Sequence, residues 1–251
     1  MGKVTHNKWA LITGALGGIG QALVKEYSSE GYQVVATDIK ECDNSDSIYF
    51  IQLDLEELAL DENYAAEFYQ KVNKVTGGNG IHCLINNAAI QILADARVLT
   101  RKQWHTSFNI NISAPFFMSQ LFIDDLEKNN GAIVNISSIH ATQTKKEFVA
   151  YATTKAALSS MTRNMVLDLG SRIRINAIEP AAVATDMLKA GFYEKEELYR
   201  RLEMFHPLGR VGTPEDVAKL AFFLTSDAAG FVQGACISAS GGIQGCLSDP
   251  L

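Results

Sequence analysis

Short apolar runs alternate with longer stretches of helical periodicity through most of the 251-residue chain. The runs at 9–13, 33–38, 48–54, 81–86, 131–137, 173–179 and 235–240 lack strict polar–apolar alternation. That pattern predicts strands covered on both faces, because a strand with one wet face must alternate. Helical patterns are expected near 18–30, 61–76, 100–128, 149–169 and 214–226. Strand–helix alternation of this kind predicts an α/β fold, a doubly wound parallel sheet built from right-handed crossovers. No linker, repeat or low-complexity stretch divides the chain, so residues 1–251 are expected to form one domain. The longest irregular region, roughly 181–213, exceeds an ordinary connection and predicts a lid over a ligand site.

Composition narrows the function classes. A chain with 47% hydrophobic and 20% charged residues is globular, not disordered or fibrous. A net charge of −6 is a poor match to a nucleic-acid binder, which needs a concentrated basic face. Cys42, Cys83, Cys236 and Cys246 have no metal-site spacing, so no metal centre is expected and the thiols are read as reduced. The uncharged run Trp9–Val24 imitates a signal peptide, but Gly14, Gly17, Gly18 and Gly20 would break a hydrophobic helix. With no membrane span in prospect, a cytoplasmic protein is expected.

Those glycines lie where a predicted strand runs into a predicted helix. Glycine there permits the tight turn and lets a pyrophosphate approach the backbone, while the helix N-terminus supplies free N–H groups. No Lys-Ser/Thr pair follows, which excludes a P-loop. Asp38 ends the second strand, 18 residues beyond Gly20. A carboxylate there accepts hydrogen bonds from adenosine ribose hydroxyls and repels a 2′-phosphate; an ordinary solvated Asp is the plain alternative. With Leu16 in the turn and Lys40 the only nearby cation, NAD is favoured over NADP. Asp54 has two roles open, a bond from the adenine amino group or a helix cap.

Tyr151 and Lys155 are four apart in a helical segment and share a face. A nearby ammonium favours the phenolate of a tyrosine, although a Tyr-x-x-x-Lys pair is often mere surface packing. Ser138, 13 residues earlier, ends an apolar strand at the edge where open α/β sheets bind ligands.

Thr13–Gly20, Asn86–Ala89, Asn111, Ser138, Tyr151 and Lys155, in this order, resemble the short-chain dehydrogenase/reductase family from Thr13 to Gly242. The resemblance implies a Rossmann-type domain with seven parallel strands, helices on both faces, and a nicotinamide cofactor. It implies Tyr151 as general acid/base and Lys155 as the group that lowers its pKa and binds the nicotinamide ribose. Ser138 would hydrogen-bond the substrate oxygen, and Asn111 would hold a water relaying protons from Lys155; Ser137 is one residue too far from Tyr151. The implied cofactor site comprises Gly14, Leu16, Gly18, Ile19, Gly20, Asp38, Asp54, Leu55, Asn87, Ala88, Tyr151, Lys155, Pro180, Val183 and Thr185. Ala89, Ala181 and Ser240 depart from the family pattern, at positions that shape loops and not the catalytic set.

The substrate wall is expected from Gln91, Ser138, His140, Gln143, Phe148, Tyr151 and Ala182, with lid residues Met187, Leu188 and Phe192. Gln91 and His140 recur in the family's 3-hydroxybutyrate dehydrogenases, but Phe148 stands where those carry Lys; the Ser-Ser-Ile-His run is similar to glucose dehydrogenases. For His140 a structural role remains an equal alternative. The expected activity is hydride transfer between NAD(H) and a small polar secondary alcohol or ketone, of the sugar or hydroxy acid class. An NADPH-dependent 3-ketoacyl-type reductase and a non-catalytic NAD-binding regulatory protein are the alternatives. The resemblance also implies a homotetramer, to which apolar positions around helix 149–169 and the tail 243–251 would contribute; neither nucleic acid nor membrane is an expected partner.

Overall fold

The computed structural model describes residues 8–45, 48–170 and 172–246. Seven strands form one wholly parallel sheet: β1 (Trp9–Thr13), β2 (Gln33–Asp38), β3 (Ile48–Gln52), β4 (Cys83–Asn86), β5 (Ala132–Ile136), β6 (Arg174–Pro180) and β7 (Cys236–Ala239). Their order is β3-β2-β1-β4-β5-β6-β7. The chain winds outward from β1 to β3, then returns to β4 on the other side of β1. That reversal opens a crevice beyond the carboxyl ends of β1 and β4, the place where such sheets bind ligands.

Helices cover both faces: α1 (Gly18–Ser29), α2 (Leu55–Leu60), α3 (Glu62–Thr76), α4 (Arg101–Phe108), α5 (Ala114–Leu121), α6 (Ile123–Lys128), α7 (Val149–Leu169), α8 (Asp186–Gly191), α9 (Glu196–Met204) and α10 (Pro214–Thr225). On one face Ala10, Ile12 and Val34 pack with Leu23 and Tyr27 of α1 and Val217 and Ala221 of α10. On the other, Leu11, Val35 and Leu84 meet Phe68 and Val72 of α3, Met118 of α5 and Met165 of α7. Both faces of the central strands are thus covered by apolar side chains, which is why the strands read as runs without strict alternation. Fully burying a Leu or Phe of this kind contributes roughly 1.5–3 kcal/mol. Arg174 closes the far end of α10, donating to the carbonyls of Leu224, Thr225, Ser226 and Ala229.

A polar thread crosses the second layer. Asn86 Nδ2 donates to Asn135 Oδ1 (2.8 Å) and Ser119 Oγ (3.3 Å), and Asn135 Nδ2 donates to Thr162 Oγ1 (2.9 Å). It joins β4, β5, α5 and α7 through side chains that are almost wholly buried.

Several boundaries differ from the sequence expectation. The run 48–54 ends as a strand at Gln52, because Asp54 caps α2 by accepting from the N–H groups of Glu56 and Glu57. The pattern 100–128 is four pieces, with a π turn at Asn109–Ser113 between α4 and α5. Pro115 explains part of this break, since it has no N–H for the carbonyl four residues before it. The region 181–213 is not irregular: it contains α8 and α9. On α7, Leu158, Met165 and Leu169 are buried but Ala152, Ala156 and Met161 only partly so, and Leu167 is 81% exposed. The single chain therefore covers one side of this helix. The tail continues as a short 3-10 turn, Ile243–Gly245, while residues 247–251 and the Met187 side chain lie outside the described residues. Among the described residues no helix is long and apolar enough to cross a membrane.

Candidate active site

The glycine turn links β1 to α1 and abuts β4. Gly14 has φ +65°, and a Cβ on it would lie 2.8 Å from the Ala88 Cα. A Cβ on Gly20 would stand 2.0 Å from the Gly14 carbonyl oxygen, so only glycine lets α1 start this close to the turn. Gly18 faces the loop after β6: its Cβ would be 2.9 Å from Thr185 Cγ2. Asn87 Nδ2 donates to the carbonyls of Thr13 (2.9 Å) and Gly14 (3.0 Å), and Thr13 Oγ1 accepts from the N–H groups of Asn87 and Ala88. Thr13 was not singled out from the sequence; a hydroxyl closing an apolar strand is the signal that marks it.

Asp38 Oδ2 accepts from the Leu16 N–H at 3.1 Å, holding a carboxylate against the turn. Ile19 packs on the core, and the Asp54 side chain is taken up in capping α2, whose first residue is Leu55. After β6, which ends at Pro180, Val183 bridges to Gly212 and Thr185 caps α8 by accepting from the Leu188 N–H. This glycine cradle, with its acidic end at Asp38, fits a dinucleotide: narrow backbone approach, a free helix N-terminus and a ribose-hydroxyl acceptor.

The chemical end lies across β4 and β5. Ser138 follows β5, is nearly buried and hydrogen-bonds the Tyr151 phenol. Ser137 turns the other way, donating to the Lys155 carbonyl (3.0 Å) and meeting Ser159 Oγ (2.8 Å). Lys155 Nζ lies 5.7 Å from the Tyr151 ring centroid and donates to the Ile136 carbonyl at 2.7 Å. At 2% exposure, burial pulls the Lys155 pKa from 10.5 down to about 7. In the protein by itself burial raises the Tyr151 phenol pKa, and the Ser138 hydrogen bond lowers it only in part.

Asn111 sits in the π turn, fully buried, with its amide already engaged. Its Oδ1 accepts from the Ile90 N–H (2.8 Å), and its Nδ2 donates to the Ile90 carbonyl (2.9 Å) and Thr154 Oγ1 (3.0 Å). The side chain locks the loop after β4 to α7. Pro115 deprives the Asn111 carbonyl of the i+4 donor that an α-helix would give it. Thr154, unnoticed in the sequence, is the polar residue inside α7 that fixes this amide.

Of the substrate candidates, Phe148 is buried with its ring 6.0 Å from that of Tyr151, and the His140 ring forms a triangle with them, 4.6 Å from Phe148 and 6.1 Å from Tyr151. Gln91 is exposed. Leu188 and Phe192 are partly buried on α8 and just after it. Among the described residues no cluster of His, Cys, Asp and Glu could hold a metal ion. The set as built can place a hydroxyl or carbonyl oxygen between Ser138 and Tyr151 and move a proton to or from it.

A family model described as enoyl-(acyl carrier protein) reductase matches residues 14–244. Protein FixR of Bradyrhizobium diazoefficiens is 34% identical over 250 residues, 94% of this chain and 86% of its own. The 7alpha-hydroxysteroid dehydrogenase of Escherichia coli is 31% identical, covering 94% and 93%. The solved structure of Thermoplasma acidophilum aldohexose dehydrogenase superposes with a TM-score of 0.90 at 26% identity, over 98% and 97% of the two chains.

Proposed function

The chain belongs to the short-chain dehydrogenase/reductase family, and on that footing we propose that it is an NAD-dependent dehydrogenase of a small polar secondary alcohol, or reductase of the ketone. The observation that carries this reading is the convergence of the nearly buried Ser138 and Lys155 on Tyr151, with Lys155 Nζ 5.7 Å from its ring centroid, beside the glycine cradle. A bound nicotinamide would supply the hydride acceptor or donor; the protein supplies orientation and proton transfer. Gly14, Leu16, Gly18, Ile19, Gly20 and Asp38 would hold the adenosine and pyrophosphate end, with Asp54, Leu55, Asn87 and Ala88 along it. Pro180, Val183 and Thr185 would flank the reacting ring.

Ser138 holds the substrate oxygen, and Tyr151 takes the hydroxyl proton as the alcohol is oxidised or returns it as the ketone is reduced. Burial works against Tyr151 as a base, so its proton must be shared with Ser138 and relayed past Lys155. Asn111 would hold a water that extends that relay from Lys155. Helices α8 and α9 form the lid over this site.

Asp38 supports NAD over NADP: its carboxylate stands at the turn where a 2′-phosphate would meet negative charge. Exposed Phe116, Phe117 and Leu167 on α5 and α7 support a homo-oligomer, which family resemblance makes a tetramer. The reading is tested by mixing the protein with NAD⁺ or NADP⁺ and a panel of polyols, sugars and hydroxy acids, following reduced nicotinamide by absorbance. NAD⁺-linked turnover abolished by Tyr151→Phe is expected; full activity in that variant would end the assignment. Asp38→Ala should narrow the preference for NAD⁺. Similarity to the 3-oxoacyl-[acyl-carrier-protein] reductase of Thermotoga maritima, 33% identical over 248 residues, favours a second reading, reduction of the 3-keto group of an acyl thioester. NADPH-linked reduction of an acetoacetyl thioester, outpacing every alcohol, would select it.

A further inference from the structure

His140 has one ring nitrogen whose partner fixes the state of the other. Its Nδ1 lies 3.0 Å from the Gln143 carbonyl oxygen. A carbonyl only accepts, so Nδ1 carries the hydrogen and donates. In a neutral imidazole Nε2 is then a bare lone pair. Partial burial keeps the ring neutral: it pulls the pKa below the ordinary histidine value, and the Lys145 charge acts in the same direction against the Gln143 bond. The ring centroid is 4.6 Å from that of Phe148 and 6.1 Å from that of Tyr151. The His140 backbone N–H also donates to Ser138 Oγ at 3.2 Å, so the residue is tied directly to the group that would hold the reacting oxygen.

The tautomer is held from outside. Gln143 Nε2 donates to the Gln244 carbonyl at 2.7 Å, and Gln244 Nε2 donates back to Thr142 Oγ1 at 2.8 Å. These bonds tie the turn after β5 to the Ile243–Gly245 turn after β7. They keep the Gln143 carbonyl in place beneath the imidazole, which makes Gln143 and Gln244 positioning residues.

We propose that His140 is a specificity-determining residue that offers Nε2 as an acceptor to a second hydroxyl of the substrate. The preferred substrates then carry a hydroxyl, not a carboxylate, next to the reacting carbinol; the inference rests on the dehydrogenase reading of the Ser138–Tyr151–Lys155 site. A hydroxyl can donate to a lone pair, whereas a carboxylate can only accept and is repelled by it. Lys145, with its ammonium 4.5 Å from the Phe148 ring centroid, is the group a carboxylate would have to use instead.

Two readouts test this with butane-2,3-diol, butan-2-ol and 3-hydroxybutyrate as probes. In steady-state kinetics with NAD⁺, kcat/KM for the diol should exceed that for butan-2-ol by about tenfold, and His140→Phe should collapse that ratio toward one. In ¹⁵N-histidine spectra, with the His140 signals identified by their loss in His140→Asn, the Nδ1–H tautomer is expected. Its Nε2 resonance should move when the diol is added with NAD⁺, and less so in Gln143→Met, which lacks the amide donor to Gln244. An Nε2–H tautomer in the unaltered protein, an equal shift with butan-2-ol, or a preference for 3-hydroxybutyrate overturns the proposal. A diol-specific shift without turnover of any probe supports the His140 inference and removes the dehydrogenase reading. Turnover without a shift does the reverse.

Discussion

Replacing Lys155 with Met should change how stability depends on pH, and the size follows from its burial. The ammonium is 2% exposed and makes one hydrogen bond, to the Ile136 carbonyl. Burial brings its pKa from 10.5 to about 7. Between those values the unfolded chain holds a proton that the folded chain lacks, so stability rises with pH across the window. At pH 6 the buried amine costs about 5 kcal/mol relative to the unfolded chain, and at pH 9 about 2 kcal/mol. The unaltered protein should therefore gain about 3 kcal/mol between pH 6 and pH 9 that Lys155→Met does not. Urea unfolding of both proteins at each pH, at one protein concentration, measures this; titrations common to both cancel in the difference. Met also changes packing, so the pH slope of the difference, not its absolute value, is the quantity tested. A difference independent of pH would show that the amine keeps its ordinary pKa in the fold and would refute the burial argument.

Three further outcomes follow. Gly20→Ala places a Cβ against backbone atoms of Gly14 and Ala15, and should cost about 1–3 kcal/mol in thermal or urea unfolding while weakening dinucleotide binding by calorimetry. Asn135→Ala removes the shortest acceptor of the Asn86 amide and the donor to the Thr162 hydroxyl, leaves each its longer or local partner, and should cost about 1–3 kcal/mol by the same unfolding assay. Arg210, bonded at 2.6 Å, holds the Asp216 pKa down at about 2, against some burial and with help from the Thr213 N–H. Its contribution is present above the unfolded carboxylate pKa and fades as pH falls from about 4 toward 2. Because both side chains are more than one-third exposed, Asp216→Asn should lose less than about 1 kcal/mol in thermal melts, the gap closing below pH 4.

The strands were legible because burial on both faces leaves unbroken apolar runs, and the turn from Thr13 to Gly20 because backbone crowding admits little but glycine. What the sequence hid had physical reasons too. Helix α9 is nine residues long and, although Leu198, Tyr199 and Leu202 fall on one side, it buries none of them, so a short charged stretch left 181–213 reading as a loop. Helix α2 is six residues long and owes its start to the Asp54 cap. The break at Asn109–Ser113 lies within continuous periodicity, where only Pro115 hinted at it. Tyr151 and Lys155 were legible from their spacing, from Ser138 13 residues earlier and from the family resemblance, but the direction of the Tyr151 shift depends on desolvation, which no pattern along the chain reports. The partners of the Asn111 amide, Ile90 and Thr154, were likewise invisible along the chain, because the contacts join segments 21 and 43 residues away.

The Asn86–Asn135–Thr162 thread has a consequence for how the domain tolerates change. Apolar side chains on either side of it can slide or repack at modest cost, but donor–acceptor pairs hold only within a few tenths of an ångström. The thread therefore works as an indexing pin, setting the axial position of α7 on the sheet independently of the surrounding volume. Substitutions among Met118, Met165 and Leu169 should erode melting temperature well before they move Tyr151 relative to Ser138. The two properties, heat resistance and proton-transfer geometry, are therefore separately adjustable in this chain.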